Sequence, residues 1–224
     1  TPGYGSSIMP WYRSTHRHNT IVVDGQSQAK TKDNTVDLWL NPKSDFEAAH
    51  SRTTQAYSGV THSRTVIRKG EYFVIVDNLS SQSQHTYDYY LHGEGTLNLP
   101  GAVESITPPQ VPTNYIHNIT ACPDSTRISG EWTDGGKGLA FEILSSKPIS
   151  PMTGQCAAES DASRISVLIA RQVSQDTRFV SVLYPYTGTQ SMQANLNGNQ
   201  LTVSHGGRVD NFTLPLPGQQ PEDK

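Results

Sequence analysis

Val60-Thr61-His62-Ser63-Arg64-Thr65-Val66-Ile67-Arg68 runs into Lys69-Gly70, and Tyr72-Phe73-Val74-Ile75-Val76-Asp77-Asn78-Leu79 follows. Two β-branched and aromatic runs on either side of a glycine turn read as an antiparallel hairpin. Just downstream, residues 86–91 put Tyr87, Tyr89 and Leu91 on one face together with His85, and leave Asp88, Tyr90 and His92 for the other. The same grammar continues at 115–121, 127–132, 139–144, 164–172 and 179–184, the last closed by Pro185. Three shorter runs, 192–196, 200–204 and 209–214, alternate around Asn197-Gly198-Asn199 and His205-Gly206-Gly207.

Upstream, Ile21-Val22-Val23 ends at the turn signal Asp24-Gly25, and residues 36–40 stop at Asn41-Pro42. Residues 46–58 are left between a strand and one helical turn, because their periodicity favours neither. Residues 1–9, 93–112 and 148–163 read as loops or connections, rich in glycine or proline. About a dozen short strands with few helical signals predict an all-β fold, an antiparallel multi-sheet β-sandwich. Residues 1–218 are expected to form this domain, with 219–224 a polar tail.

The formal net charge of −3 over 224 residues gives no general attraction to nucleic acid or to anionic membranes. A protein acting on polyanions would therefore need a local basic patch. No apolar run is long enough to span a bilayer, and the chain opens at Thr1 as a processed or cut piece would. Cys122 and Cys156 fit either one disulfide or two thiols.

The densest chemistry lies in Trp11-Tyr12-Arg13-Ser14-Thr15-His16-Arg17-His18-Asn19-Thr20, ahead of the first apolar strand. On an extended backbone His16 and His18 would leave one face about 7 Å apart. A His-x-His pair of that kind offers two imidazoles to zinc, but a zinc site needs three or four ligands. Tyr4, framed by Gly3 and Gly5, suits either a proton-transfer phenol or an aromatic lid on Trp11 and Tyr12. Arg13, Arg17, Arg52, Arg64 and Arg68 could grip a carboxylate or sulfate, or simply be solvated.

Tyr4-Gly5, Trp11-Tyr12-Arg13-Ser14-Thr15, His18-Asn19-Thr20, Val23-Asp24-Gly25 and Gln28 together resemble the C-terminal β-sheet region of heparinase II/III-like polysaccharide lyases, alginate lyases among them. Tyr57, Arg64, the 72–77 run, His92 and the 179–185 run are similar in order and spacing. The resemblance implies a missing N-terminal α-helical domain in the parent protein, a uronate polysaccharide as substrate, and a periplasmic or secreted location. Cleavage would be by β-elimination, with the C6 carboxylate neutralised, the C5 proton removed and the O4 leaving group protonated. By the same resemblance Tyr4 is the candidate acid or base, and Tyr12 and Arg13 are candidate substrate contacts. His18 is a candidate ligand of a structural zinc whose other ligands are expected upstream of Thr1. The chain alone is then expected to be inactive. The competing reading is a non-catalytic carbohydrate-binding or structural β-sandwich module, since sugar faces also stack on aromatic rings.

Overall fold

The computed structural model describes residues 5–30, 46–100, 114–160 and 162–214, and the backbone path of 37–41. The chain opens with a single-turn helix α1 (Met9–Arg13) and a 3₁₀ turn at Thr15–Arg17. The strands that follow are β1 (Ile21–Val23), β2 (Asp37–Asn41), β3 (Glu47–Tyr57), β4 (Val60–Lys69), β5 (Tyr72–Ser81), β6 (His85–Gly93) and β7 (Thr96–Asn98). They continue with β8 (Ile116–Ala121), β9 (Ser125–Asp134), β10 (Lys137–Ala157), β11 (Arg164–Ser174) and β12 (Thr177–Thr187). A last group comprises β13 (Met192–Asn197), β14 (Gln200–His205) and β15 (Arg208–Thr213).

Every ladder is antiparallel. The large sheet runs β1-β6-β11-β10-β12-β5-β4-β3-β2, with β8 and β9 added on β10 and β7 on β9, while β13-β14-β15 form a separate small sheet. The all-β, antiparallel expectation holds, as a curled large sheet with a small second one. The β4–β5 hairpin has the expected register, Lys69 opposite Tyr72 and Arg64 opposite Asp77. Its turn is allowed by Gly70 at φ 55°. Residues 46–58, undecided from periodicity, are strand β3.

Alternation along the strands divides the apolar residues between faces. Tyr87, Tyr89 and Leu91 join Ile21, Leu79, Trp132, Phe141 and Phe179 in one core. Val74, Val76, Val180 and Val182 lie on the opposite face, under Ala194, Leu201, Val203 and Phe212 of the small sheet. A third cluster gathers Trp11, Val22, Tyr90, Met152, Cys156 and Ile169. Cys122 and Cys156 are both free thiols, which decides between the two readings of the pair.

Three expectations are corrected. Residues 148–163 are not all a connection, because β10 continues to Ala157. Pro148 costs no ladder bond there: it falls in the irregular register between Leu144 and Ile149, where β10 leaves one set of partners for another. Residues 93–112 contain the three-residue strand β7 on the edge of β9, while 101–113 lie outside the described residues. Strand β12 does not end at Pro185, which pairs with Leu139 on β10 at a point where β5 has already stopped pairing, so its missing N–H is not needed on that side. The polar tail at 219–224 also lies outside the described residues.

Candidate functional site

The 11–20 stretch is not extended. Pro10 falls in the first turn of α1, where its missing N–H removes nothing from the helix. Ser14 closes the helix by donating its N–H to the Trp11 carbonyl. Trp11 is wholly buried, donates Nε1–H to the Ala157 carbonyl at 3.2 Å and stacks on Tyr115 at 5.5 Å. The 3₁₀ turn then separates the two histidines: His16 is buried against the Tyr90 ring, whereas His18 is exposed. The expectation that they share a face therefore fails, because a 3₁₀ turn rotates residues two apart away from each other. Backbone contacts from the segment after β1 hold the turn in place. Thr15 donates its N–H to Ser27 Oγ at 3.1 Å, and Thr15 Oγ1 accepts the Gln28 N–H at 2.8 Å.

Strand β1 seats the next residues. Ile21, Val22 and Val23 pair with Tyr89, Asp88 and Tyr87 of β6. Asp24 and Gly25, at φ 48° and 67°, close the turn with both central residues left-handed, as Asp-Gly hairpin turns do. Asn19 is thereby placed against the other end of β6. Its Oδ1 accepts the His92 backbone N–H at 2.8 Å and meets His92 Nδ1 at 3.0 Å. A backbone N–H can only donate, so the amide oxygen must face it and Nδ1 must carry the ring proton. Burial, reinforced by the electrostatic influence of Arg17 and His18, lowers the His92 pKa to about 3, with a weaker opposite pull from the His16 carbonyl. His92 is thus a neutral imidazole whose buried Nε2 has no hydrogen-bond partner among the described residues. His16 is lowered too, by burial against the pull of Asp88, and its Nε2 is likewise buried without a partner.

Asn19 is fixed from a second side. Arg64 Nη1 donates to the Asn19 carbonyl at 2.7 Å, while its Nε and Nη2 grip both oxygens of Asp77 at 2.8 and 2.9 Å. His62 Nε2 adds a contact to Asp77 Oδ1 at 2.7 Å. Burial pushes the Asp77 carboxyl up, but Arg64 and His62 outweigh it and hold the pKa at about 2. A second buried pair, Arg171 to Asp88 at 2.6 and 2.7 Å, lies across the β6–β11 ladder.

Of the residues singled out from sequence, Tyr4 lies outside the described residues. Tyr12 is half-buried, with the Arg17 guanidinium 5.3 Å from its ring centre, and Arg13 is exposed at the end of α1. Tyr12, Arg13 and His18 therefore sit on one short corner of the chain. Arg64 is no surface cation, being committed to Asp77 and Asn19, and Arg68 pairs with exposed Glu47 at 3.0 Å. Asn19 and His92 were not assigned roles from sequence, although Asn19 stands inside the His-Asn-Thr motif and His92 shares a strand face with Asp88 and Tyr90. Among the described residues no three His, Cys, Asp or Glu side chains gather where one ion could bind them. The donors present do not fit a zinc site by themselves.

Residues 2–178 match the sequence profile described as heparinase II/III-like, C-terminal. No curated protein matches the chain in sequence. Among solved structures, heparinase III, the BT4657 gene product, superposes with a TM-score of 0.64 at 16% identity over 91% of this chain and 31% of its own. Heparan sulfate lyase HepC from Pedobacter heparinus does so with a TM-score of 0.65 at 16% identity, over 96% of this chain and 32% of its own. The chain thus spans about a third of the length of these structures, and at such identities the likeness is one of fold. The profile match, covering most of the chain and the whole α1–β6 corner, carries the assignment: this chain belongs to the heparinase II/III-like C-terminal family.

Proposed function

We propose that this chain is the β-sheet portion of a lyase that cleaves uronic-acid-containing polysaccharide by β-elimination, acting on a substrate outside the cytoplasm, in the periplasm or the medium. The observation that carries the reading is the corner itself: Arg13 and Arg17 present two guanidiniums, Tyr12 a phenol and His18 an imidazole on the segment matched by the family profile. A uronate C5–H is too weak an acid to lose its proton unless charge developing on the C6 carboxylate is stabilised in the transition state. Arg13 supplies cationic hydrogen bonds suited to a carboxylate, and Tyr12 offers a ring and hydroxyl to the sugar. Tyr4 is the proton-transfer residue in this reading, and the remaining catalytic groups come from a helical domain of the same parent. A zinc on His18 would draw its other ligands from beyond the described residues, and no step above depends on it.

The test is the absorbance of unsaturated uronate product when the intact parent protein meets alginate, heparan sulfate and other polyuronates. Tyr4→Phe is expected to lower kcat by about 100-fold or more. No product across the panel, or turnover indifferent to Tyr4→Phe, would leave the chain as a carbohydrate-binding or structural module.

A further inference from the structure

Asn19 is an exposed residue held at three places. Thr20 donates its N–H to the His18 carbonyl at 2.9 Å, closing a three-residue turn with Asn19 at its centre. Arg64, anchored on Asp77, donates from Nη1 to the Asn19 carbonyl at 2.7 Å. The side chain is held by His92, whose backbone N–H lies 2.8 Å and whose ring Nδ1 lies 3.0 Å from Oδ1. Because that backbone N–H can only donate, the amide oxygen faces β6 and Nδ2 is turned the other way. Nδ2 therefore holds out two N–H donors, with no partner among the described residues, next in the chain to the exposed His18 imidazole.

Part of this arrangement is structural. Tyr90 of β6 gives its N–H to the Thr20 carbonyl, and two residues further on His92 gives its N–H to Asn19 Oδ1, so the side chain continues the ladder where β1 has left it. That duty needs only an acceptor. A carboxylate would perform it more strongly than an amide, since hydrogen bonds to ionised acceptors are the stronger ones. What the amide adds at this position is the outward pair of donors. Held in place beforehand, such a pair loses little freedom on meeting an acceptor, and its dipole is already aimed at negative charge. Among the oxygens of a uronate chain, the ionised carboxylate accepts most strongly.

We propose that Asn19 is a substrate-binding residue, its Nδ2 donating to the carboxylate of a uronate unit bound at the α1–β1 corner, and that His92 is the positioning residue that keeps the amide turned outward. That the acceptor belongs to a uronate rests on the lyase reading; that Asn19 is an oriented donor does not. The test titrates the intact parent protein, carrying Tyr4→Phe so that ligand is not consumed, with an oligouronate and with the same oligosaccharide after its carboxyl groups are reduced to alcohols. Asn19→Asp keeps an oxygen toward His92 and exchanges the outward donors for an anionic oxygen. In that background it is expected to weaken oligouronate binding about tenfold or more, the equivalent of one charge-assisted hydrogen bond, and binding of the reduced ligand by less than about threefold. His92→Leu should bring the same selective loss, and His92→Asn, whose amide can donate from the place of Nδ1, should restore the affinity. Thermal unfolding checks that each variant is folded, and Asn19→Asp decides the site even where His92→Leu does not fold. A folded Asn19→Asp that binds the oligouronate unchanged, or that loses both ligands equally, overturns the site. His92→Asn as weak as a folded His92→Leu overturns the positioning role. Release of unsaturated product, followed with Tyr4 in place, separates the two readings. Product with unchanged Asn19→Asp affinity sinks this site alone, whereas Asn19-dependent carboxylate binding without product sinks the lyase reading alone.

Discussion

Asp77 is a wholly buried carboxylate shared by His62 and Arg64, and Arg64 extends the contact to the Asn19 carbonyl. Removing its charge leaves the Arg64 guanidinium unpaired in a largely buried place. Asp77→Asn is therefore expected to cost about 3–5 kcal/mol in urea unfolding and to loosen the 11–20 corner. Protonation acts on the same group more gently. Its pKa is depressed from 3.8 to about 2 in the fold, so the stability it contributes is present above 3.8 and lost as pH falls from there through about 2. His92 acts earlier in an acid titration. It is neutral in the fold down to about pH 3 but titrates near 6.5 once unfolded, so the unfolded state takes up the proton first. Stability should be flat with respect to this group above pH 6.5 and fall below it, by at most about 1.4 kcal/mol per pH unit for one proton. Urea midpoints measured from pH 7.5 to 4 test this. His92→Asn should make the acid slope shallower, and a slope equal to wild type would show that His92 is not held neutral.

Strand β10 is the element that joins the curled parts of the large sheet, and its middle is where it is most exposed to failure. Residues 137–144 pair with β9 and β12, residues 150–157 pair with β8 and β11, and the register breaks between Leu144 and Ile149. Among the described residues, no strand pairs with the carbonyls in that break. Gln172 of β11 serves them: its Nε2 donates to Ser145 Oγ at 2.9 Å and to the Lys147 and Pro148 carbonyls at 2.8 and 3.1 Å. Its Oε1 takes the Thr177 hydroxyl, so the amide is also tied to the start of β12. Gln172 is buried, and water cannot easily replace it. Gln172→Leu keeps most of the volume but strands these groups, and should cost about 2–3 kcal/mol with an unchanged urea m-value. A cost within 0.5 kcal/mol, roughly the scatter of surface substitutions, would mean that the bend carries no such demand.

At the scale of the molecule, the strands were legible because most are half-buried, so alternation such as Tyr87, Tyr89 and Leu91 against Asp88, Tyr90 and His92 is written directly in the sequence. What escaped was local and short: α1 and the 3₁₀ turn bury little beyond Ile8, Trp11, Thr15 and His16, too few positions to show a helical period. The site was legible only in part, for a related reason. Its motif is contiguous, but the groups that orient Asn19 lie 45 residues away at Arg64 and 73 away at His92, joined by register rather than spacing. The small sheet shows the same dependence on long-range packing, because its three strands were readable while their purpose was not. They cover Val74, Val76, Val180 and Val182, all 0% exposed beneath them. Uncovering four valines forfeits about 1.5–3 kcal/mol each, together on the order of 6–12 kcal/mol, which matches the whole stability of a typical domain. Deleting residues 189–214 should therefore do more than trim an appendage. The truncated protein is expected to bind a hydrophobic dye and to lose cooperative thermal unfolding, whereas a sharp transition within a few degrees of the intact protein would show that the large sheet stands without its cover.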